Sequence, residues 1–129
     1  MTLRKKELFF FVAVLAVLTV AGMAQAAAPA GFDDNEIRIG QWGPQTGPAA
    51  PWGSVARGSK LLFDIVNEEG GIHGRKIKYF IRDDMYNPAQ TVAVVRELVE
   101  RAGVFAFVGG VSTASGLAVK DYLAANKVI

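Results

Sequence analysis

Residues 104–115, VFAFVGGVSTAS, decide the fold class of this chain. The run 104–108 is apolar at every position, which is typical of a β-strand covered on both faces. A pair of glycines then predicts a turn, and Ser112 or Thr113 predicts the N-cap of a helix that runs to about residue 125. A buried strand, a tight turn and a helix in this order indicate a parallel sheet with helices packed on it.

The same alternation of strand and helix extends upstream to residue 36. The order β-α-β-α-β-α-β, with short connections, predicts an α/β fold: an open parallel sheet with helices on both faces. On the first helix, Val55, Leu62, Ile65 and Val66 share one face. The other predicted elements are strands at 37–41 and 76–82, helices from Trp52 or Ser54 to Glu69 and from Asn87-Pro88 to Gly103, and the start of a fourth strand at 127–129.

The N-terminal segment predicts export. A basic start precedes the apolar run 8–20, LFFFVAVLAVLTV, and the sequence Ala24-Gln25-Ala26 follows. This is the order of a signal peptide, here 1–26, and the apolar run is short for a membrane span, although an uncleaved anchor is the alternative. We expect cleavage after Ala26, or after Ala28. Without an Arg-Arg pair the general secretory route is favoured, with the periplasm as the destination.

Composition excludes several classes of function. The chain has 14 Lys and Arg against 12 Asp and Glu, and removing the three basic and one acidic residue of 1–26 leaves 11 of each. A neutral remainder gives no electrostatic case for binding nucleic acid. Zero Cys and one His exclude disulfides, thiol nucleophiles and Cys-ligated or multi-His metal sites within the chain. We therefore expect no metal and no cofactor.

The loop after the third predicted strand is the leading candidate for a ligand site. Ligands of open α/β sheets bind beyond the carboxyl ends of the strands, beside helix N-termini. Gly109-Gly110 lets backbone approach a ligand closely, and Ser112 and Thr113 place hydroxyls where a carboxylate would bind. Either hydroxyl can instead cap its own helix, or one can cap while the other binds.

The loops after the first two strands supply further candidates. Trp52 is placed to pack on an apolar ligand side chain or to cover the start of its own helix, and Tyr86 is placed to line the cleft. Asp83-Asp84 favours capping of the next turn, or pairing with nearby basic groups, over binding of an ammonium or a metal. Trp42 is expected in the core, and His73 in an exposed turn at the opposite edge of the sheet.

Enzyme signatures are incomplete. Neither a G-x-G-x-x-G nor a phosphate-binding G-x-x-x-x-G-K-[ST] motif is present. The segment 110–114 approaches the G-x-S-x-G nucleophile elbow, but Ala114 replaces its last glycine, and His73 precedes Ser112, against the order in α/β hydrolases. We expect no enzyme activity; an exported hydrolase using Ser112, with a His beyond residue 129, is the less favoured alternative.

Five motifs in order resemble the N-terminal lobe of branched-chain amino-acid-type periplasmic binding proteins, the type I class of substrate-binding components of ABC importers. Each motif is weak alone, but their order and separations over about residues 35–129 are fairly specific. The motifs are QTGP at 45–48, WG at 52–53, NEEGGIHGR at 67–75, DDMYNP at 83–88 and VGGVSTAS at 108–115.

The resemblance implies a passive clamp of two lobes that acts as a monomer and delivers an amino acid or a related small carboxylate or amide to permease subunits. It divides the chain into the signal peptide, a mature tail at 27–35 and a partial N-terminal lobe at 36–129, with the second lobe missing. Thr113 matches the family's carboxylate contact and Trp52 its contact to the ligand side chain; Gly110, Val111 and Ser112 belong to the same loop. The same lobe in a membrane-bound ligand sensor is the alternative.

This sequence departs from the resembled family at the third loop. Ala114 and Gly116 reduce the number of hydroxyls there, and the Cys pair that some relatives carry between the second and third loops is absent. Pro51 stiffens the backbone just before Trp52. These departures leave the choice among amino acids, amides, urea and aromatic acids open.

Overall fold

The strand–helix units predicted from the sequence are present in the computed structural model, which describes residues 31–129. The predicted signal peptide at 1–26 lies outside the described residues. The elements are β1 (Glu36–Gly43), a short 3-10 helix (Ala50–Gly53), α1 (Ser54–Glu68), β2 (Lys76–Asp83), α2 (Pro88–Glu97) with a π-helical extension (Leu98–Ala102), β3 (Ala106–Phe107) and α3 (Thr113–Ala125).

The three strands form one parallel sheet in the order β2-β1-β3. Strand β1 pairs with β2 over its whole length, from Glu36 opposite Lys76 to Gly43 opposite Asp83. β2 therefore lies on one side of β1 and β3 on the other, so the direction in which the chain moves across the sheet reverses after β2. With right-handed crossovers, this reversal places α1 on one face of the sheet and α2 and α3 on the opposite face.

The core is divided between those two faces, as the alternation of strand side chains requires. On the α1 face, Ile39, Ile77 and Ala106 are buried under partly buried side chains that include Phe63 and Val66. The buried cluster on the α2–α3 face is larger and consists of Trp42, Val95, Leu98, Val99, Val104 and Val119. Helices therefore cover both faces of the sheet, as predicted.

Strand β3 is shorter than the predicted run 104–108, and the predicted fourth strand is not formed among the described residues. β3 pairs with β1 only at Ile39 and Gly40, and Phe105 is 38% exposed. The Phe107 amide donates to the carbonyl of Ile129 at 2.6 Å, so the chain end lies beside β3 but makes only this first ladder bond. Apart from this bond, the ladder of β3 runs along the β1 edge alone among residues 31–129.

The shared apolar face of α1 is only half covered. Val66 packs against the buried cluster on the sheet below. In contrast, Val55, Leu62 and Ile65 are 39%, 58% and 44% exposed. α1 lies over β2, where Asn67 exchanges hydrogen bonds with the backbone of Ile77. The flank of α1 that carries the exposed side chains has no equivalent cover within residues 31–129.

The predicted ends of the second helix are confirmed. The Asn87 side chain accepts a hydrogen bond from the Ala89 amide at 2.9 Å, and Pro88 occupies the first helical turn. Gly103 ends the helix with φ 62°, in the left-handed region. No helix of the described segment 31–129 is long and apolar enough to cross a membrane.

Candidate functional site

The loops after β1, β2 and β3 lie at the same edge of the sheet, because parallel strands end together. The loops after β1 and β3 lead to helices on opposite faces, so they diverge between these two neighbouring strands. Such a topological switch point opens a crevice at the carboxyl edge of an α/β sheet. Its walls are residues 44–53 on one side and residues 108–112 on the other.

The loop after β3 is held down on the end of β1. The Gln41 side chain is fully buried and donates from Nε2 to the carbonyls of Trp42, at 2.7 Å, and Gly109, at 3.0 Å. The Val111 amide also donates to the Trp42 carbonyl. Gly110 lies on the Trp42 indole, where a Cβ would come within 2.4 Å of Cζ2. The backbone at 109–111 is therefore fixed before any ligand arrives.

Trp42 is a core residue, as predicted. Its side chain is 9% exposed, and its ring lies 5.1 Å from that of Phe107. Gln41, in contrast, was not singled out by the sequence. A polar residue in an alternating strand reads as solvent-facing, and only the position of the β3 loop shows that its amide is used inside the protein.

The structure distinguishes the two hydroxyls at the start of α3. Ser112, with φ 94°, is the N-cap, and its Oγ accepts a hydrogen bond from the Ser115 amide at 3.2 Å. Thr113 follows the N-cap as the first helical residue, so its hydroxyl does not cap the helix, and its side chain is exposed. Of the alternatives that the sequence left open, this is the arrangement in which one hydroxyl caps and the other is available at a helix N-terminus.

Trp52 lies in the 3-10 helix on the other wall of the crevice and is 63% exposed. A Trp that covered the start of α1 would be largely buried. The residue in close contact with the loop after β1 is Gly53, where an added Cβ would lie 2.7 Å from the Pro44 carbonyl oxygen. The indole is therefore presented outward from this wall.

Asp83 ties the loop after β1 to the loop after β2. One carboxylate oxygen accepts from the amides of Gln45, at 2.8 Å, and Met85, at 2.9 Å, and the other accepts from the Thr46 hydroxyl. Burial acts to raise the pKa of Asp83, but these hydrogen bonds, with that from Thr46 foremost, outweigh it and lower the pKa. The predicted capping role is confirmed, and it includes a neighbouring loop.

Asp84 is fully buried and organises a polar network below the loops. Its Oδ1 accepts from the Tyr86 amide at 2.9 Å, and its Oδ2 accepts from the Thr91 hydroxyl at 2.7 Å. The Thr91 and Ser115 hydroxyls are 2.8 Å apart, and both side chains are fully buried. The sequence offered a signal for this pair: Thr91 lies on the same helical face as buried Val95, and Ser115 on that of Val119.

Tyr86 and Met85 form the edge of the loop after β2. Both have positive φ, 61° and 49°, and both are about half exposed, at 48% and 50%. The structure thus puts Tyr86 in an outward position at the same edge of the sheet as Trp52. Asp84 stabilises this turn, because its side chain accepts a hydrogen bond from the Tyr86 amide and its backbone carbonyl accepts one from the Asn87 amide.

In the described segment, no group of three or more His, Cys, Asp or Glu is placed to hold a metal ion. His73 lies in an exposed turn before β2, at the opposite end of the strands, as predicted. Ser112, the serine of the incomplete nucleophile elbow, therefore has no imidazole beside it among residues 31–129.

Comparisons with known proteins bear on the same residues. The family described as "Periplasmic binding protein" matches residues 36–129. The Leu/Ile/Val-binding protein homolog 3 of Brucella melitensis is 35% identical over 95 residues, covering 73% of this chain and 26% of that protein. The leucine-, isoleucine-, valine-, threonine- and alanine-binding protein of Pseudomonas aeruginosa is 34% identical over 103 residues, covering 79% and 26%.

Solved structures agree with the sequence comparison. The fatty acid ABC transporter substrate-binding protein from Thermomonospora curvata is similar with a TM-score of 0.71 and 31% identity, over 76% of this chain and 25% of that one. A branched-chain amino acid transporter substrate-binding protein from Streptococcus pneumoniae, in complex with isoleucine, is similar with a TM-score of 0.68 and 27% identity, over 73% and 27%. The chain spans about a quarter of the length of the relatives that it matches.

Proposed function

This chain belongs to the periplasmic binding protein family, and on that premise we propose that the whole protein is a solute-binding protein of an ABC importer. Its cargo in this proposal is an amino acid or a related small carboxylate or amide. The described residues form part of one lobe of a two-lobed clamp, and the permease subunits of the importer are its partners. We propose that it acts in the periplasm as a monomer, without enzyme activity, after removal of residues 1–26.

The single observation that carries this proposal is the construction of the loop between β3 and α3. Its backbone is fixed on Trp42, and Ser112 caps the helix, so the Thr113 hydroxyl stands free at a positive helix end. A fixed set of amides and a hydroxyl at such an end suit a carboxylate, and a hydrogen bond to a charged group contributes about 1.5–3 kcal/mol. Gly110, Val111 and Ser112 complete the loop.

The second wall of the crevice supplies apolar contact. Trp52 is exposed beside the switch point, and Tyr86 is exposed at the end of the neighbouring strand. The cargo named for one related structure is a fatty acid, and another contains isoleucine. Both molecules join a carboxylate to an apolar group, which is the combination that Thr113 on one wall and Trp52 on the other would recognise.

The test is a thermal-shift screen of the full-length mature protein. The panel consists of the twenty amino acids, acetamide, urea, phenylacetate and octanoate. Binding to the native state raises stability by about 2.7 kcal/mol at a hundredfold excess over Kd, so a binder gives a clear rise in Tm. A rise with one chemical class supports the proposal and identifies the cargo; no rise with any compound contradicts it.

Two variants then test the role of Thr113. Thr113→Val removes the hydroxyl at nearly constant shape, whereas Thr113→Ser keeps it. We expect the first to weaken binding of the active panel compound and the second to preserve most of it. Equal affinity for both variants would remove Thr113 from the proposed site.

A further inference from the structure

The strongest unused feature is the buried chain of polar groups that starts at Asp84. All three of its side chains, Asp84, Thr91 and Ser115, are fully buried, although none faces the crevice as a ligand contact. They come from three different parts of the fold: the loop just after β2, the first turns of α2 and the first turn of α3. A buried polar group is costly unless its partners are present, so this chain of groups constrains how the three elements meet.

The direction of the hydrogen bonds follows from the number of protons. Thr91 has one hydroxyl proton, and its oxygen lies 2.7 Å from Asp84 Oδ2 and 3.0 Å from the Asn87 carbonyl. The Asp84 oxygen is the nearer of the two acceptors, so Thr91 donates to Asp84. Thr91 is then free to accept from the Ser115 hydroxyl, 2.8 Å away. The chain of donors runs from Ser115 through Thr91 to the carboxylate.

Each oxygen of Asp84 thereby serves a different loop. Oδ1 accepts the Tyr86 amide and fixes the turn that presents Tyr86 with positive φ. Oδ2 acts through Thr91 and Ser115 at the first turn of α3. The Ser115 amide donates to Ser112 Oγ, so the residue that ends this chain also holds the N-cap of the ligand loop.

We propose that Asp84 and Thr91 are positioning residues that tie the 84–87 turn to the 109–113 loop and so fix both for ligand binding. This inference rests on the proposed function. Neither residue touches the ligand; they act through Tyr86 and through Ser115 and Ser112. Supporting groups of this kind govern affinity because a binding group that is free to move loses part of its contact.

Thr91 offers a matched pair of variants for the test. Thr91→Val keeps the shape and removes the hydroxyl that joins Asp84 to Ser115, whereas Thr91→Ser keeps the hydroxyl. Val119→Ala is the control: Val119 is buried in the same helix as Ser115 but lies outside the polar chain, so it lowers stability by creating a cavity. All three variants are made in the full-length mature protein.

The first readout is the Kd for L-leucine, or for the panel compound that binds wild type if L-leucine does not, at a temperature where every variant is folded. We expect Thr91→Val to raise Kd by roughly tenfold, the lower end of the loss seen when the outer hydrogen-bond partners of metal ligands are removed. Thr91→Ser and Val119→Ala should stay close to wild type. An unchanged Kd in Thr91→Val, or an equal loss in Val119→Ala, would overturn the positioning role.

The second readout does not need a ligand. Amide hydrogen exchange should become faster in Thr91→Val at residues 84–87 and 109–115 together, while α1 keeps the protection that it has in wild type. Faster exchange at only one of the two loops, or at all elements equally, would overturn the proposed connection. A wild-type protein that binds no panel compound would contradict the proposed function alone, and the exchange result would still decide the connection between the loops.

Discussion

Gly110 rests directly on the indole of Trp42, and a Cβ at this glycine would lie 2.4 Å from Cζ2 of the ring. Trp42 is 9% exposed and packed against Phe107, so it has no room to move away. The contact joins the core to the loop between β3 and α3. In the proposed function that loop meets the ligand carboxylate, and core packing therefore sets its position.

Substituting Gly110 by Ala should damage both stability and binding. The added methyl must displace either the indole or the loop, and overpacking of this kind costs about 1–3 kcal/mol. Gly116→Ala is the matched control, since a Cβ at Gly116, within α3, would have nothing within 4 Å. That substitution should stabilise α3 by about 0.5–1 kcal/mol. Thermal melts of the two variants should move in opposite directions, and a neutral Gly110→Ala would show that the loop yields.

Asp83 predicts a pH dependence of stability. Its pKa is lower in the folded protein because its oxygens accept hydrogen bonds from Thr46 and two loop amides, against the opposing effect of burial. A lowered folded pKa contributes stability above the unfolded value, about 3.9, and this contribution is lost as pH falls through the folded pKa. Asp83→Asn should therefore lower Tm at pH 7 and have a smaller effect near pH 3.

The control for that experiment is Asp121→Asn, an exposed carboxylate on α3. It should shift Tm little at either pH. If the effect of Asp83→Asn is the same at pH 7 and at pH 3, the ionised carboxylate does not stabilise the two loops.

The N-cap of α2 predicts a purely structural effect. Asn87→Ala removes the acceptor of the Ala89 amide, and loss of such a cap costs about 1 kcal/mol. Asn87→Asp keeps an acceptor and should stay near wild type. Urea denaturation of the full-length protein measures both variants, and equal midpoints for Asn87→Ala and wild type would contradict a stabilising cap.

The sequence predicts those parts of the fold that depend on residues close together in the chain. The helix start at Asn87-Pro88, the stop at Gly103 and a strand over 37–41 follow from local patterns, and each is confirmed. The apolar run predicts a strand over 104–108, but only residues 106–107 pair with β1, because pairing depends on neighbours that the local sequence does not reveal. The predicted start of a fourth strand at 127–129 is represented only by the hydrogen bond from the Phe107 amide to the Ile129 carbonyl.

The site shows the same division. The loop 109–113 was found from its residue types, but Ser112 and Thr113 could not be assigned separate roles until the backbone placed Ser112 at φ 94° as the cap. The burial of Thr91 and Ser115 depends on how α2 and α3 meet, and Thr and Ser are equally compatible with a helix surface. The contribution of Trp52, Tyr86 and Thr113 to ligand binding stays a prediction.

Trp52 provides the most direct test of that prediction. Because 63% of its surface is exposed, Trp52→Ala should leave the Tm of the ligand-free protein nearly unchanged. If the indole packs on the apolar part of the ligand, the loss of affinity should grow with the length of that part, by up to about 0.8 kcal/mol for each buried CH₂.

Titration calorimetry with L-alanine, L-valine and L-leucine, or with acetate, butyrate and octanoate if the cargo is a fatty acid, gives the required series. Trp52→Ala should weaken the longest member most and the shortest least, and Trp52→Phe should recover part of the loss because it keeps an aromatic surface. The Thr113→Val variant should instead weaken all members of a series by a similar factor, since each carries the same carboxylate. An equal loss along the series in Trp52→Ala would separate Trp52 from the apolar contact and leave Thr113 as the testable half of the site.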